Sequence, residues 1–517
     1  MKTHIKRWQL ALAAILLTSV AILPAGARDL NVAINADPSQ VDPITLSELI
    51  SGDILKNVYQ GFTDTDAEGN VVPLLATSWE AHEDGLGFTF RLREGVKFHT
   101  GNVFGARDVK ATFEQLLIPG NKGGGASQYL NRIVGAEAVK AGTTTDLEGV
   151  KVVDDLTVEV RFTEPEVLFP IYPFNFFDAS LVGEAGSNFF AENSGGTGPF
   201  RFVEWKRGEQ VELDAFADYW GGAPAIDGVT FKIVPEETTQ LALYETGELD
   251  VLYLSAATGR RVLRDPQYAD QLQSATAAQI NYLGFNAALY EPFRDKRVRE
   301  AFSIALDREA LVNGLFGGAA QPLYGQISPG VGGYDPEFPA IPHDPERAKQ
   351  LIAEAGYADG LPPLTLGSLE SSRTEATYFA DLYSQLFNVE VTLQTQERAT
   401  FIRALNAKEV PFFHFGWTAG YPDALYFLSQ VWYSKSPYNR TGYSNPDFDA
   451  LIEKATATTD PQERYALYHE AERLLVLEDW GTSGTYVRTQ LALVKPSVKG
   501  VTLTPFRFQP YADVTID

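Results

Sequence analysis

The residue types that carry most enzyme chemistry are absent from this sequence or lack the spacing that catalysis requires. The chain contains no cysteine, which excludes a thiol nucleophile. The best match to the G-x-S-x-G turn of serine hydrolases, residues 481–484, lacks the residue between the serine and the second glycine. Zinc proteases place two histidines four residues apart on a helix, but Arg473 stands four residues after His469. We therefore expect no catalytic residues and no enzyme activity.

Metal and nucleotide sites are not predicted either. No two histidines beyond the N-terminal segment have the spacing of metal ligands; they are His82, His99, His343, His414 and His469. Asp64 opens a stretch that resembles a calcium-binding loop, but Leu75 stands where the loop needs a glutamate, so a hairpin turn is predicted there. No Gly-Lys dipeptide occurs, which excludes a P-loop for nucleotide phosphates. The sequence thus predicts no metal site and no cofactor.

The N-terminal segment has the pattern of a secretory signal peptide. A basic start precedes an apolar run at residues 10–23, and Ala25 and Ala27 form an A-x-A cleavage site. The run is shorter than the roughly 20 residues that span a bilayer, which argues against a membrane anchor. Because no cysteine is available for a lipid anchor, we expect residues 1–27 to be removed and the protein to be soluble in the periplasm of a Gram-negative cell.

The composition is that of a large, acidic, globular protein. The formal net charge is −25 and 44% of the 517 residues are hydrophobic. This charge makes nucleic acid and anionic membranes poor partners. A chain of this length normally divides into more than one domain.

Hydrophobic periodicity and helix-cap residues predict the secondary structure elements that would position a binding site. Alternating apolar residues predict strands at 29–34, 87–92 and 156–162. Helices dominate from about residue 295, and residues 486–494 return to a strand pattern. Cap and proline signals predict that helices begin at Asp344, Asn445 and Asp460.

One predicted helix carries both an apolar stripe and many charges. Val298, Phe302 and Leu306 recur at helical spacing and are expected to face the core. Arg297 and Arg308 are among the charged residues expected on its outer face.

Several ordered blocks along the chain resemble the family-5 solute-binding proteins, the peptide- and nickel-binding group of ABC importers. The blocks are residues 41–43, 58–61, 69–80, 90–101, 106–109, 196–200, 218–222, 297–308 and 415–423. The resemblance implies an α/β fold of the periplasmic-binding-protein type (type II, cluster C), with two lobes around a ligand cleft and an extra inserted domain. It implies a discontinuous domain I (28–70, 195–285 and 486–517), an inserted domain II (71–194) and a domain III (286–485) that forms the second lobe.

The same resemblance implies where ligand binds. In peptide-binding relatives the backbone beside the tryptophan of the last block pairs with the ligand like an added strand. Ligand contacts are therefore expected from Gly416, Trp417, Thr418, Gly420, Tyr421 and Asp423.

The last block departs from the peptide-binding pattern at one position. Gly420 stands where these relatives commonly have the aspartate that pairs with the α-ammonium group of a peptide. Leaving a buried ammonium unpaired costs about 3–5 kcal/mol, so Asp423 is the candidate replacement. Arg373 falls near an arginine that binds the ligand carboxylate in dipeptide-binding relatives, although a surface arginine at a helix start is the alternative. Trp417, Tyr421 and Trp432 are candidates for walls of the pocket, and a place in the core is the alternative for each of them.

The sequence therefore predicts a periplasmic receptor that captures a small solute by hinge closure and delivers it to an inner-membrane ABC permease with its ATPase subunits. The first ligand class is a di- or oligopeptide or an amino-acid-derived compound; an opine, an oligosaccharide and a metal chelate are the alternatives. A periplasmic chaperone is the alternative from another functional class. We expect a monomer that binds no nucleic acid.

Overall fold

The computed structural model describes residues 28–46, 48–120, 125–181 and 194–517. The predicted signal peptide, residues 1–27, lies outside the described residues. The strands are β1 (Leu30–Ile34), β2 (Thr63–Thr65), β3 (Val71–Pro73), β4 (Ala76–Ala81), β5 (Gly87–Leu92), β6 (Val150–Asp154), β7 (Thr157–Arg161), β8 (Phe200–Lys206), β9 (Gln210–Ala215), β10 (Gly228–Ile233), β11 (Val251–Leu254), β12 (Leu272–Thr276), β13 (Gln279–Phe285), β14 (Ala320–Pro322), β15 (Leu364–Leu369), β16 (Val391–Gln396), β17 (Phe412–Thr418), β18 (Thr482–Val494), β19 (Val498–Lys499), β20 (Leu503–Thr504), β21 (Arg507–Phe508) and β22 (Thr515–Ile516).

The α-helices of the described residues are at most 15 residues long. They are α1 (Leu49–Leu55), α2 (Ala106–Leu117), α3 (Ala136–Lys140), α4 (Glu237–Thr246), α5 (Ala256–Val262), α6 (Lys296–Ile304), α7 (Arg308–Leu311), α8 (Pro345–Glu354), α9 (Arg373–Phe387), α10 (Arg398–Asn406), α11 (Leu425–Phe427), α12 (Pro446–Ala457) and α13 (Pro461–Arg473).

A large mixed sheet extends through two lobes in the order β16-β15-β17-β13-β18-β11-β1-β10-β9-β8. We call β1 and β8 to β12 the first lobe, and β13 and β15 to β17 the second lobe. A separate antiparallel sheet, β4-β5-β7-β6, packs against α2 and is counted with the first lobe. This is the predicted α/β architecture with two lobes and an inserted layer.

Strand β18 connects the two lobes. Its first residues pair with β13 of the second lobe, where Ser483 lies opposite Leu283. Its last residues pair with β11 of the first lobe, where Leu491 lies opposite Leu254. The short segment between β12 and β13 crosses beside it, and the Ala277 N–H donates to the Arg488 carbonyl at 2.9 Å. The chain thus passes between the lobes at two adjacent segments.

The local signals for strands and helix starts are confirmed. Strands β1, β5 and β7 occupy the predicted ranges, and α8, α12 and α13 begin where the cap residues predict. The side chains of Asp344, Asn445 and Asp460 each accept a backbone N–H of the first helical turn at 2.9 Å. The predicted hairpin turn after Asp64 is also present, since β2 pairs with β3 and Asp66 closes the turn between them.

The charged helix differs from its prediction at Arg308. Val298, Phe302 and Leu306 are buried as expected, but Arg308 is buried too. Helix α6 ends at Ile304, and α7 begins after a new cap, so the Arg308 side chain turns inward. Its guanidinium donates to backbone carbonyls, among them that of Gly484 at 2.8 Å. Burial lowers its pKa to about 10.

Candidate functional site

A cleft of about 590 Å³ lies where the two lobes meet. Its walls come from both lobes and from the two connecting segments. The first lobe contributes residues 63–65, 253–256 and 505–507, the second lobe contributes residues 418–422, and the connecting segments contribute residues 277–279 and 488–491. Residues from several segments that are distant in sequence therefore line one concave space, as is typical of small-molecule sites.

The predicted ligand-binding segment reaches this cleft in part. Strand β17 lies antiparallel to β13 and ends at Thr418, so the chain leaves the sheet there. Thr418, Gly420 and Tyr421 consequently line the cleft. Gly416 and Trp417 stay within the strand and are not among its lining residues.

Gly420 makes room for a tyrosine of the first lobe. A Cβ atom at Gly420 would lie 3.1 Å from the Tyr129 hydroxyl and 3.1 Å from the Tyr426 ring. Tyr421 extends this contact, because its ring centroid lies 5.0 Å from that of Tyr172 and 6.1 Å from that of Tyr129. Any side chain at position 420 would require Tyr129 and Tyr426 to shift by a few tenths of an ångström. Aromatic packing between the lobes therefore occupies the place of the carboxylate that the peptide-binding pattern has here.

Asp423 is buried behind the cleft and has its own partners. It is 2% exposed, and its carboxylate accepts from the Tyr468 hydroxyl at 2.7 Å and the Leu425 N–H at 2.9 Å. The Arg464 guanidinium donates to the other oxygen at 3.3 Å. These contacts hold the Asp423 carboxylate in place within the second lobe. Asp423 does not line the 590 Å³ cleft, but it is among the lining residues of the second cavity described below.

Arg373 and Trp432 also lie away from the cleft lining. Arg373 begins α9 on the surface, where its guanidinium pairs with both oxygens of Glu370 at 2.7 Å. Trp432 is 1% exposed, and its ring packs at 5.0 Å against that of Tyr282 in the core of the second lobe. The structure therefore does not bring these two candidates together with Thr418, Gly420 and Tyr421.

Two arginines that the sequence reasoning missed line the cleft. Arg488 lies on β18 between the lobes and exposes 39% of its side chain. Its Nη2 atom is 3.4 Å from Glu375 Oε1, which is long for a charge-assisted hydrogen bond. Arg507 pairs with Asp53 at 2.6 Å and stacks over the Tyr253 ring at 4.1 Å. Sequence offered no signal for either residue. Arg488 reaches the cleft because β18 pairs with distant strands, and Arg507 lies in a short local hairpin whose partners, Asp53 and Tyr253, are distant in sequence.

A carboxylate faces the same cleft from the first lobe. Asp64 lies on β2 among the lining residues. Burial raises its pKa, while the Thr65 N–H and nearby Lys56 oppose this shift. The cleft thus offers groups for both an anionic and a cationic part of a ligand.

A second cavity of about 700 Å³ adjoins the first, and both are lined by Ile171 and Pro422. Trp79 and Phe88 of the inserted sheet line one side, and Tyr465 of the second lobe lines the other. The space between the lobes therefore continues past the 418–422 loop.

The described part of the chain contains neither a cluster of metal-ligating side chains nor a membrane-spanning helix. No group of three or more His, Cys, Asp or Glu side chains is arranged there to hold a metal ion. None of the helices in the described ranges has the length and apolar character needed to cross a membrane.

Comparisons with known proteins agree with this architecture. The glutathione-binding protein GsiB of Pectobacterium atrosepticum is 30% identical over 487 residues, which cover 90% of each chain. Heme-binding protein A of Haemophilus influenzae is 29% identical, with 87% of this chain and 84% of that protein covered. The unliganded open form of the periplasmic murein tripeptide binding protein MppA superimposes with a TM-score of 0.81 at 24% identity, over 95% of this chain and 98% of that chain.

The family comparison covers most of the chain. Residues 70–439 match the family model described as bacterial extracellular solute-binding proteins, family 5, middle region. The resemblance read from the sequence blocks is confirmed. This chain belongs to family 5 of the bacterial extracellular solute-binding proteins.

Proposed function

We propose that this protein is the periplasmic substrate-binding component of an ABC importer, which captures a peptide or an amino-acid-derived solute and delivers it to a permease in the inner membrane. The observation that carries the proposal is the cleft between the lobes. Its volume of about 590 Å³ lies within the roughly 300–1,000 Å³ of small-molecule sites. Membership of a solute-binding family supports the same role.

Hinge bending at the two connecting segments is the proposed closing motion. Residues 277–279 and 488–491 both line the cleft, so rotation about them would bring its walls together. Closure excludes water and thereby strengthens each polar contact to the solute. The division into domains I, II and III remains part of this proposal.

The charges of the cleft favour a solute that carries carboxylates. Arg488 and Arg507 can each donate further hydrogen bonds, because a guanidinium has five N–H donors. Asp64 can pair with an ammonium group. The relatives described above are named for a murein tripeptide, for glutathione and for heme, and all three compounds carry carboxylates. A neutral oligosaccharide would add no anionic partner to those that the arginines already have, Glu375 for Arg488 and Asp53 for Arg507.

A thermal-unfolding screen tests the proposed ligand class. The probes are di- and tripeptides, glutathione, heme, an opine, an oligosaccharide and a metal chelate. A ligand present at 100 times its dissociation constant stabilises the folded protein by about 2.7 kcal/mol. We expect peptides or glutathione to raise the melting temperature. A response to the oligosaccharide alone would overturn the carboxylate argument, and binding of the dye ANS to the native protein without any response would favour a chaperone.

Replacing Arg488 by alanine is expected to weaken binding of the best carboxylate-bearing probe by about tenfold or more, equivalent to about 1.4 kcal/mol. The reason is the loss of charge-assisted hydrogen bonds inside a closed cleft. Isothermal titration calorimetry measures the affinity.

Arg373→Ala is the matched control, because Arg373 is exposed and paired with Glu370. We expect its affinity to equal that of the wild type. If solute binding instead requires Arg373 and does not require Arg488, the carboxylate of the solute binds at Arg373, as the sequence predicts.

A further inference from the structure

The second cavity, of about 700 Å³, shares its boundary with the 590 Å³ cleft. Three segments line both spaces: the β2–β3 hairpin, the segment around Ile171 and the loop around Pro422. The hairpin contributes residues 63–65 to the cleft and residues 68–71 to the second cavity, while Ile171 and Pro422 line both spaces themselves. A solute that passes between Ile171 and Pro422 would therefore occupy both.

The second cavity persists although the lobes already touch beside it. Tyr172 and Tyr421 are chain neighbours of the two shared residues, and their ring centroids lie 5.0 Å apart across the lobes. At the hairpin turn, a Cβ atom on Gly69 would lie only 2.5 Å from the Gly330 carbonyl oxygen. Because the backbones are already in contact there, further rotation of the lobes toward each other does not remove this cavity.

The walls of the second cavity are mostly apolar and aromatic. Trp79 and Phe88 come from the inserted sheet, and Tyr334 and Tyr465 come from the opposite side. The other apolar lining residues include Val71, Val167, Leu168, Pro170, Ile171, Val331, Pro336, Pro422 and Pro461. An aromatic or branched apolar group placed between these walls would bury its surface away from water.

The charges differ between the two spaces. Arg464 is the one cation among the described residues that line the second cavity, and it is buried and paired with Asp423 at 3.3 Å. Glu68 is exposed and is the remaining charged residue of this lining. The cleft instead has Arg488 and Arg507 in its lining. The cleft therefore favours a carboxylate, and the second cavity favours an uncharged apolar group.

We propose that the solute is elongated and occupies both spaces, with its carboxylate at Arg488 and Arg507 and an aromatic or branched apolar group in the second cavity against Trp79. This inference rests on the proposed receptor function and narrows its ligand class to peptide-like compounds that have a carboxylate at one end and an apolar group at the other. It also gives the inserted sheet a direct part in solute recognition. A solute confined to the cleft would leave the apolar walls of the second cavity in water.

Two pairs of probes with matched charges test this inference. Trialanine is compared with Phe-Ala-Ala, and glutathione is compared with S-benzylglutathione, so that the second compound of each pair adds an aromatic ring and no charge. We expect one or both of the aromatic compounds to bind about tenfold more tightly than their partners, or better, because burying a phenyl group has an effect of this size. Isothermal titration calorimetry measures all four affinities.

Two variants place the effect in the second cavity. Trp79→Ala removes an apolar wall, so the aromatic compound should bind about as tightly as its partner, whose own affinity should stay that of the wild type. Thr459 is an exposed residue of the cavity lining. Thr459→Trp fills the cavity from the second lobe and should also remove the preference, so the test does not depend on the folding of Trp79→Ala.

Trp205→Ala is the matched control, because Trp205 is a partly buried tryptophan of the first lobe that lines neither space. It should keep the preference for the aromatic compound. Equal affinities within both pairs, or a preference that survives unchanged in a folded Trp79→Ala or Thr459→Trp protein, would overturn the inference while the receptor function stands. If none of the four probes binds, the proposed preference for peptides and glutathione fails, and this inference fails with it.

Discussion

Replacing Asp423 by alanine is expected to lower the free energy of unfolding by about 3–5 kcal/mol, the usual effect of removing one partner of a buried ion pair. Asp423 and Arg464 are both buried, and the alanine variant would leave the Arg464 guanidinium without its carboxylate. The Tyr468 hydroxyl and the Leu425 N–H would lose their acceptor as well. Urea unfolding of the wild type and the variant measures the difference.

The double variant Asp423→Ala/Arg464→Met separates a structural role from a ligand-binding role. Removing both charges leaves no uncompensated ion, so the double variant is expected to be more stable than Asp423→Ala alone. Asp423→Asn should lie between the wild type and the alanine variant, because the amide oxygen still accepts a hydrogen bond. An Asp423→Ala protein with wild-type stability but without solute binding would show instead that Asp423 contacts the solute, as the sequence predicts.

Secondary structure elements that are specified by residues close together in the chain could be predicted from the sequence. The caps at Asp344, Asn445 and Asp460 bond to N–H groups two or three residues further on, so the sequence contains the whole interaction. The hairpin that follows Asp64 is equally local. The sequence blocks that resemble family 5 made the overall fold predictable as well, because they identify a known scaffold.

Residues whose environment depends on distant segments could not be predicted in this way. Asp423 lies close to Trp417 in sequence, but its partners Arg464 and Tyr468 come from α13. Arg488 lines the cleft because β18 pairs with strands of both lobes. Arg308 fits a charged helix surface by spacing alone, and only the end of α6 at Ile304 turns it inward.

The other large effect is expected from Glu472, whose buried side chain makes stability depend on pH. Glu472 is 2% exposed, and its Oε1 accepts the backbone N–H groups of Gln326 at 2.5 Å and Ile327 at 2.8 Å. Burial raises the pKa of this carboxyl group to about 8, although the two N–H donors oppose the shift. The folded protein therefore keeps Glu472 protonated at neutral pH.

The direction of the pH dependence follows from proton binding in the two states. Below the unfolded pKa of about 4.5, Glu472 is protonated in both states and has no effect on the pH dependence of stability. Between pH 4.5 and about 8, only the folded state binds the proton, so stability falls as the pH rises, by about 1.4 kcal/mol per pH unit. Over the whole window the loss is on the order of 3–5 kcal/mol.

Glu472→Gln isolates this contribution, since glutamine keeps an acceptor oxygen but cannot ionise. We expect the variant and the wild type to have similar free energies of unfolding near pH 4.5, and the variant to become the more stable protein as the pH approaches 8. Glu470→Gln, an exposed change on the same helix, should follow the wild type throughout. Urea titrations across this range measure the three proteins, and a constant difference between Glu472→Gln and the wild type would mean that Glu472 is already ionised in the folded state at low pH. In that case the two backbone N–H donors would outweigh burial, and the loop at Gln326 and Ile327 would act as an anion-binding turn for the helix carboxylate.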